Sequence, residues 1–522
     1  MSDQISAEVS RHARRSHRIS GMDGTGVVEY PSRRSNFPEN PAVSAVPLAS
    51  MQATLLAVAT LLCTNIAPAV PSADSIKLSA CKLPDSTLAA RCGVMQVAEN
   101  PDRPAGRQVP IHIAVVPAIG GRALPDPIAV LMGGPGESAI AAAGIYTEWF
   151  KDLLQDRDLL LIDQRGAGLS GALRCKLYSP SDPQASLRDV FPPAAVRACE
   201  RLLRARADPT QYGYSRFATD LERARTALHY GPMNLFGGSY GTRAAQVYMR
   251  AFPQSVRTAY LGSPVPIDVA TPLAMAKTAE AALENMFNAC RGEDACNAAF
   301  PHLRDEFRQV FARLDAGAVR VSVPGAATAM PLYGGRVAAW VRSKLYRPSS
   351  AAILPRAVHH AYIGDFDPIV QGILEETKNS DLSFGLFFAI TCSEDVPFLR
   401  ETEILTQSQG TFLGDYRVRQ QQAACEHWPK AALLEDYRNP VRSSVPTLLV
   451  TGGDDGGTPV WYTDHVMQGL SNSRKVVIGG QGHTEWNACI AQLFQELVRS
   501  GSVRSLGVPA CMPIPRPPFK TD

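Results

Sequence analysis

The chain has 522 residues, of which 45% are hydrophobic and 19% charged, and a formal net charge of +3. This composition belongs to a globular protein and excludes a disordered one; the length suits about three average domains or one large α/β core with an insertion. So small a net charge gives no sign of a nucleic-acid partner or an acidic one, and beyond the N-terminal leader no roughly 20-residue apolar run offers a stable membrane span.

Residues 1–50 are polar and rich in Arg, Ser and Pro. Residues 51–62 then form an apolar run of signal-peptide length, and Ala67-Pro68-Ala69 follows with the small-x-small pattern of a cleavage site. A buried helix would have a similar composition, but Pro68 and Pro71 at the exit oppose it. A start at Met51 would lack a basic segment, Arg33-Arg34 is a twin-arginine candidate far from the apolar run, and bulky Leu62 argues against a lipoprotein role for Cys63. Residues 1–73 are therefore expected to be a leader with a signal peptide, and the protein to be periplasmic or secreted. Without Cys63, ten of the 11 cysteines remain. Their simplest local pairing is Cys81 with Cys92, Cys175 with Cys199, Cys290 with Cys296, Cys392 with Cys425 and Cys489 with Cys511, although spacing alone does not fix connectivity. Such pairs require an oxidising compartment. Zinc is the competing reading, but no C-x2-C pair or Cys/His cluster has ligand spacing.

Along the mature chain, apolar strand-like runs alternate with helical ones. Residues 111–116, 128–132 and 159–162 read as short strands, the last ending in Asp163-Gln164-Arg165-Gly166. Residues 215–229 carry apolar positions at helical spacing, 233–236 read as a buried strand, and 242–251 read as a helix. Residues 258–261, 447–450 and 475–478 continue the strand series. This rhythm predicts a mostly parallel sheet covered by helices on both faces. Between about 265 and 440 helical patterns dominate (274–288, 302–314 and 335–345), with Pro and Gly between them. The expected organisation is a core in two parts, 74–264 and 441–522, with a helical lid at 265–440.

Gly237-Gly238-Ser239-Tyr240-Gly241, between a strand and a helix, fits G-x-S-x-G. On such a turn a serine sits on a strained elbow that exposes its hydroxyl and requires small neighbours. Taken alone, the motif could equally be an ordinary Gly-Ser turn. A nucleophilic serine needs a base, an orienting acid and an oxyanion hole. Asp454 and Asp455 follow the 447–450 strand, and Gly482-His483 follows the 475–478 strand, giving the order Ser, Asp, His on successive strand ends. Gly133-Gly134-Pro135-Gly136 follows the 128–132 strand and is placed to turn an N–H toward the serine, with the Tyr240 N–H as second donor.

These segments resemble the proline iminopeptidase and tripeptidyl aminopeptidase group of serine peptidases. The likeness rests on Gly-Gly-Pro-Gly at 133–136, Asp163-Gln164-Arg165-Gly166-x-Gly168-x-Ser170, Gly-Gly-Ser-Tyr-Gly at 237–241, Asp455-Gly456-Gly457-Thr458-Pro459 and Gly482-His483. It covers roughly 78–520 and is weakest in the lid; Cys489 to Cys511 looks like the C-terminal region of the tripeptidyl aminopeptidase branch. The resemblance implies an α/β-hydrolase fold, Ser239 as nucleophile, His483 as base and Asp455 as orienting acid, preferred over Asp454 because it matches the acid of Asp-x-x-Thr-Pro. It also implies a peptide substrate with a free N-terminus, without metal or cofactor. Glu137 departs from the Gly or Gln common there. An esterase or amidase of small acyl substrates would use the same machinery, and a catalytically silent binding protein is the alternative from another class.

An exopeptidase must read an α-ammonium, and a buried cation needs an anionic partner. Glu394 and Asp395, just after the apolar run 384–392, are the candidates for that role, with Glu137 beside the oxyanion loop as a third. For Glu394 or Asp395 alone, a helix cap or a solvated surface pair is the competing reading.

Overall fold

The computed structural model describes residues 76–179, 182–323, 326–378, 382–507 and 515–522. The expected leader with its signal peptide and Cys511 lie outside the described residues. The nine strands of one sheet are β1 (Ser79–Cys81), β2 (Ala90–Ala98), β3 (Gln108–Val116), β4 (Ile128–Leu131), β5 (Leu159–Ile162), β6 (Met233–Gly238), β7 (Val256–Gly262), β10 (Thr447–Gly452) and β11 (Ser473–Ile478). A small antiparallel pair, β8 (Arg320–Val321) with β9 (Met330–Pro331), lies between them in sequence. The order across the sheet is β1-β2-β3-β5-β4-β6-β7-β10-β11. From β5 to β11 every neighbouring pair is parallel; β1, β2 and β3 form an antiparallel flank.

The continuous apolar runs explain the central strands. All four residues of β4 and of β5 are buried, as a sheet covered on both faces requires. Successive side chains point to opposite faces. Ala129, Leu131, Leu235 and Leu261 face one apolar layer with the helices Tyr214–Ala227 and Gly241–Ala251. Ile128, Val130, Phe236 and Tyr260 face the other, with the helices Ala143–Trp149 and Ala488–Ser500. Full burial of a Leu or Phe side chain contributes about 1.5–3 kcal/mol each. On the second face Phe236 and Tyr260 also stack at 4.6 Å. The helix Ala488–Ser500 starts where Asn487 accepts the Ile490 N–H and stops at Gly501 in the left-handed conformation.

Residues 265–440 are mainly helical. The expected helices at 274–288, 302–314 and 335–345 occur as Thr271–Gly292, Leu303–Asp315 and Gly334–Lys344. Many of them share a second apolar cluster around Leu283, Phe307, Trp340 and Val341. Phe384–Glu394 behaves differently. It is buried all round, and packs with Leu173 and Leu203 into the core beside the sheet. Among the described residues, disulfides join Cys81 to Cys92, Cys175 to Cys199, Cys290 to Cys296 and Cys392 to Cys425. The last ties Phe384–Glu394 to the helix Tyr416–Cys425. Among the described residues no helix is long and apolar enough to cross a membrane.

The register brings Leu131 beside Gly237, Gly238 beside Gly262, Gly262 beside Val450, and Gly452 beside Ile478. The carboxyl ends of β4, β6, β7, β10 and β11 therefore open along one edge, where ligand sites of such sheets are built.

Candidate active site

Ser239 follows β6 directly and has φ 54°, a left-handed conformation rare for a residue with a side chain. Its N–H donates to the Gly262 carbonyl at 2.9 Å, and its own carbonyl accepts from the Thr242 N–H and hydroxyl. The turn is tight enough that a Cβ on Gly241 would stand 2.0 Å from the Leu131 carbonyl oxygen. The strained serine is thus held from both sides by the sheet and by the helix Gly241–Ala251.

His483 follows β11, and its Nδ1 lies 2.9 and 3.0 Å from the Asp455 carboxylate oxygens. Asp455 is buried and also accepts from the Ser263 hydroxyl, the Gly457 and Thr458 N–H groups and the Thr458 hydroxyl. Burial alone would raise its pKa, but the charge of His483 and the hydrogen bonds from His483 and Thr458 hold it below the ordinary carboxylate value. Asp454 turns away, accepting from Asn285 and pairing with Arg516 at 2.8 Å. With Nδ1 facing Asp455, the Nε2 of His483 is the ring nitrogen left for chemistry.

Ser239, His483, Tyr240 and Gly134 line one cavity of about 90 Å³. A larger depression of about 270 Å³, lined by Arg107, Leu173 and Tyr212 among others, contains no nucleophile or base. Tyr240 is the cap residue of the helix Gly241–Ala251, so its N–H has no partner inside the helix. Gly133 packs against the elbow; a Cβ there would stand 2.9 Å from the Gly238 carbonyl oxygen. Gly134, at φ 104°, carries the loop away in a conformation side chains avoid.

The Asp163-Gln164-Arg165-Gly166 segment holds this loop in place. Buried Asp163 accepts from the Ser138 hydroxyl at 2.7 Å and from the Ile140 and Leu169 N–H groups. Arg165 makes a buried two-pronged pair with Asp220 at 2.6 and 2.7 Å.

Of the three carboxylates expected to read an ammonium, Glu137 is the one whose charge meets that of His483. It is open to solvent on one side, while crowding by protein raises its pKa against the charges of His483 and Arg347. None of the three lines the cavity of Ser239 and His483. Asp395 pairs with Arg243 at 3.0 Å and accepts from the Tyr240 hydroxyl and the Thr271 N–H. Glu394 accepts from the Tyr437 hydroxyl and the Tyr214 N–H. Burial pushes its pKa up to about 7, outweighing the Tyr437 hydrogen bond and the charge of Arg243. Both belong to a network behind the pocket, not to its wall. The reason is local: the helix Phe384–Glu394 is apolar on every side, so its end is buried with it.

The helical segment also contributes residues that sequence reasoning missed. The Tyr346 carbonyl accepts the His483 N–H at 2.6 Å, and Arg347 Nε donates to the His483 carbonyl at 3.0 Å. Arg342 and Arg417 reach the cavity itself. A signal existed. Arg342 sits on a stripe with Ala338, Val341 and Leu345, and Arg417 on one with Gln421, Ala424 and Cys425, positions where a charge on a buried face stands out. Among the described residues no three His, Cys, Asp or Glu side chains gather to hold a metal ion.

A profile of the alpha/beta hydrolase fold matches residues 126–484. The serine protease Hip1 of Mycobacterium tuberculosis is 25% identical over 421 residues, covering 72% of this chain and 78% of that protein. A proline iminopeptidase of Heyndrickxia coagulans is 28% identical over 138 residues, 26% of this chain and 35% of that protein. Among solved structures, the proline iminopeptidase of Mycobacterium smegmatis aligns over 78% of this chain and 100% of its own, at 15% identity and a TM-score of 0.37.

Proposed function

The chain belongs to the alpha/beta hydrolase family, and on that premise we propose that it is an exported serine peptidase that releases residues from peptide N-termini. The observation that carries this reading is the Asp455–His483 pair opening on the same small cavity as Ser239. Ser239 Oγ attacks the scissile carbonyl and passes its proton to His483 Nε2, forming a tetrahedral oxyanion that accepts from the Gly134 and Tyr240 N–H groups. Collapse breaks the C–N bond, and the same proton goes to the leaving amine. Water then hydrolyses the acyl-enzyme with His483 as base. Asp455, ionised in its hydrogen-bond cage, fixes the tautomer and stabilises the imidazolium.

Likeness to the protease Hip1 and to a proline iminopeptidase supports peptides as substrates, and the coupling of Glu137 to the charge of His483 supports it as the carboxylate that reads a free ammonium. The disulfides support a periplasmic or secreted location. Hydrolysis of small acyl esters is the second reading, favoured by the cavity of about 90 Å³ and by Glu394 and Asp395 lying outside it. A panel of aminoacyl and tripeptidyl p-nitroanilides against p-nitrophenyl esters separates the two. Faster turnover of free-amine amides than of their N-acetylated forms supports the exopeptidase; turnover of esters alone contradicts it.

A further inference from the structure

Two guanidiniums face the cavity that holds Ser239 and His483: Arg342 from the helix Gly334–Lys344 and Arg417 from Tyr416–Cys425. Each is only 7% exposed. Arg342 Nη2 donates to the Tyr346 hydroxyl at 2.6 Å and the group lies over that ring at 4.9 Å, but its Nε finds no acceptor. Arg417 Nη1 donates to Gln421 Oε1 at 2.8 Å, Gln421 in turn donates to the Thr391 hydroxyl, and the guanidinium rests on the Phe191 ring at 4.7 Å. These are neutral partners. The carboxylates of neighbouring elements are engaged elsewhere: Asp395 with Arg243, Asp455 with His483, and Glu376 with Arg336 and Lys344. Burial, and then the like charge of Arg342, pull the Arg417 pKa down to about 10. A buried cation without an anion is costly, and two that repel each other are more so, so a fold that keeps them beside a nucleophile leaves a place for a negative charge.

On the reading of Ser239 as nucleophile, we infer that Arg342 and Arg417 form a subsite for a substrate carboxylate, the acidic side chain of the residue whose carbonyl Ser239 attacks. Arginine suits this role because its planar fork meets both carboxylate oxygens. The cavity is small and roofed by helices, which fits one side chain better than a continuing peptide. A carboxylate on the leaving side is the other source of the same chemistry.

The test uses the purified protein and compares kcat/KM for glutamyl and aspartyl p-nitroanilides with the glutaminyl and asparaginyl ones. The acidic member of each pair should win by about tenfold or more. Arg417→Met and Arg342→Met should each collapse that ratio toward about one, mainly through KM, while Arg417→Lys keeps part of it. The thermal midpoint of Arg417→Met should equal or exceed that of the wild type, because an uncompensated buried charge is removed. An amide preference no greater for acidic than for neutral side chains overturns the inference, as does an equal loss on both substrates in the two methionine variants. Preference for a carboxylated leaving group, read with 4-aminobenzoate amides, overturns the acyl-side assignment. Failure of the peptidase reading is scored separately. Mono-p-nitrophenyl glutarate against p-nitrophenyl butyrate reports the anion subsite without any peptide bond, and the same tenfold preference is expected there.

Discussion

The sheet edge and the helical segment above it treat buried charge in opposite ways. Asp455 receives hydrogen bonds from His483, Ser263, Gly457 and Thr458, and its charge is fully answered by the protein. Arg342 and Arg417, reaching the same cavity from helices, have only neutral partners. On the proposed reading, the first arrangement is complete before anything binds and serves chemistry that is the same for every substrate. The second is left for a ligand to complete and serves choice among substrates. On that reading general machinery resides on strand ends, whose positions the sheet dictates, and selectivity on the helical segment.

The comparison breaks most sharply at the elbow. Ser239→Ala and His483→Ala should each lower kcat by about 10⁴-fold or more, and the double variant should be little worse, because the residues act as a unit. Circular dichroism should show both folded. Asp455→Asn should cost about 10³–10⁴-fold, as expected when the histidine loses its tautomer. Asp454→Asn, whose carboxylate meets Asn285 and Arg516 instead, should stay within about threefold. A larger loss at Asp454 than at Asp455 would show that the acid is misassigned.

Smaller effects sharpen the contrast between satisfied and unsatisfied charge. Arg165→Met removes one partner of a buried pair and strands Asp220, so stability should fall by about 3–5 kcal/mol in denaturant titrations. Arg417→Met, which strands no charge and leaves only the neutral Gln421 Oε1 without its donor, should not. Finding both equally destabilising would erase the distinction.

The pH dependence of stability gives the mildest signal. The folded pKa of Glu394, about 7, lies above the ordinary value of 4.5. Its neutral form is therefore the one the fold favours; the stabilisation is fully present below about 4.5 and is lost as pH rises through about 7. Thermal midpoints should fall between about pH 5 and pH 8 in the wild type, and Glu394→Gln should flatten that fall. An unchanged slope in the variant would place the titration elsewhere.

Much of the sheet was legible because its central strands are short, continuous apolar runs buried on both faces, and because turn chemistry marks their ends. Ser239, Asp455 and His483 could be proposed from order alone, since each follows one such strand. Glu394 and Asp395 lie off the cavity wall for a physical reason. A helix apolar on all sides carries its terminal polar residues into the core, and the helical pattern does not say which partners wait there. Arg342 and Arg417 escaped notice because a lone charge on a helix reads as solvated until its neighbours at i+3, i+4 and i+7 are weighed. The clasp of Tyr346 and Arg347 on His483 left no trace in local pattern, being a contact between segments 136 residues apart.

The most direct measurement is covalent labelling of the purified protein with a fluorophosphonate, followed by mapping of the modified peptide. The account predicts a single adduct on Ser239, formed much more slowly in His483→Ala. An adduct on another serine, or full hydrolytic activity in protein that has no label at Ser239, would contradict it.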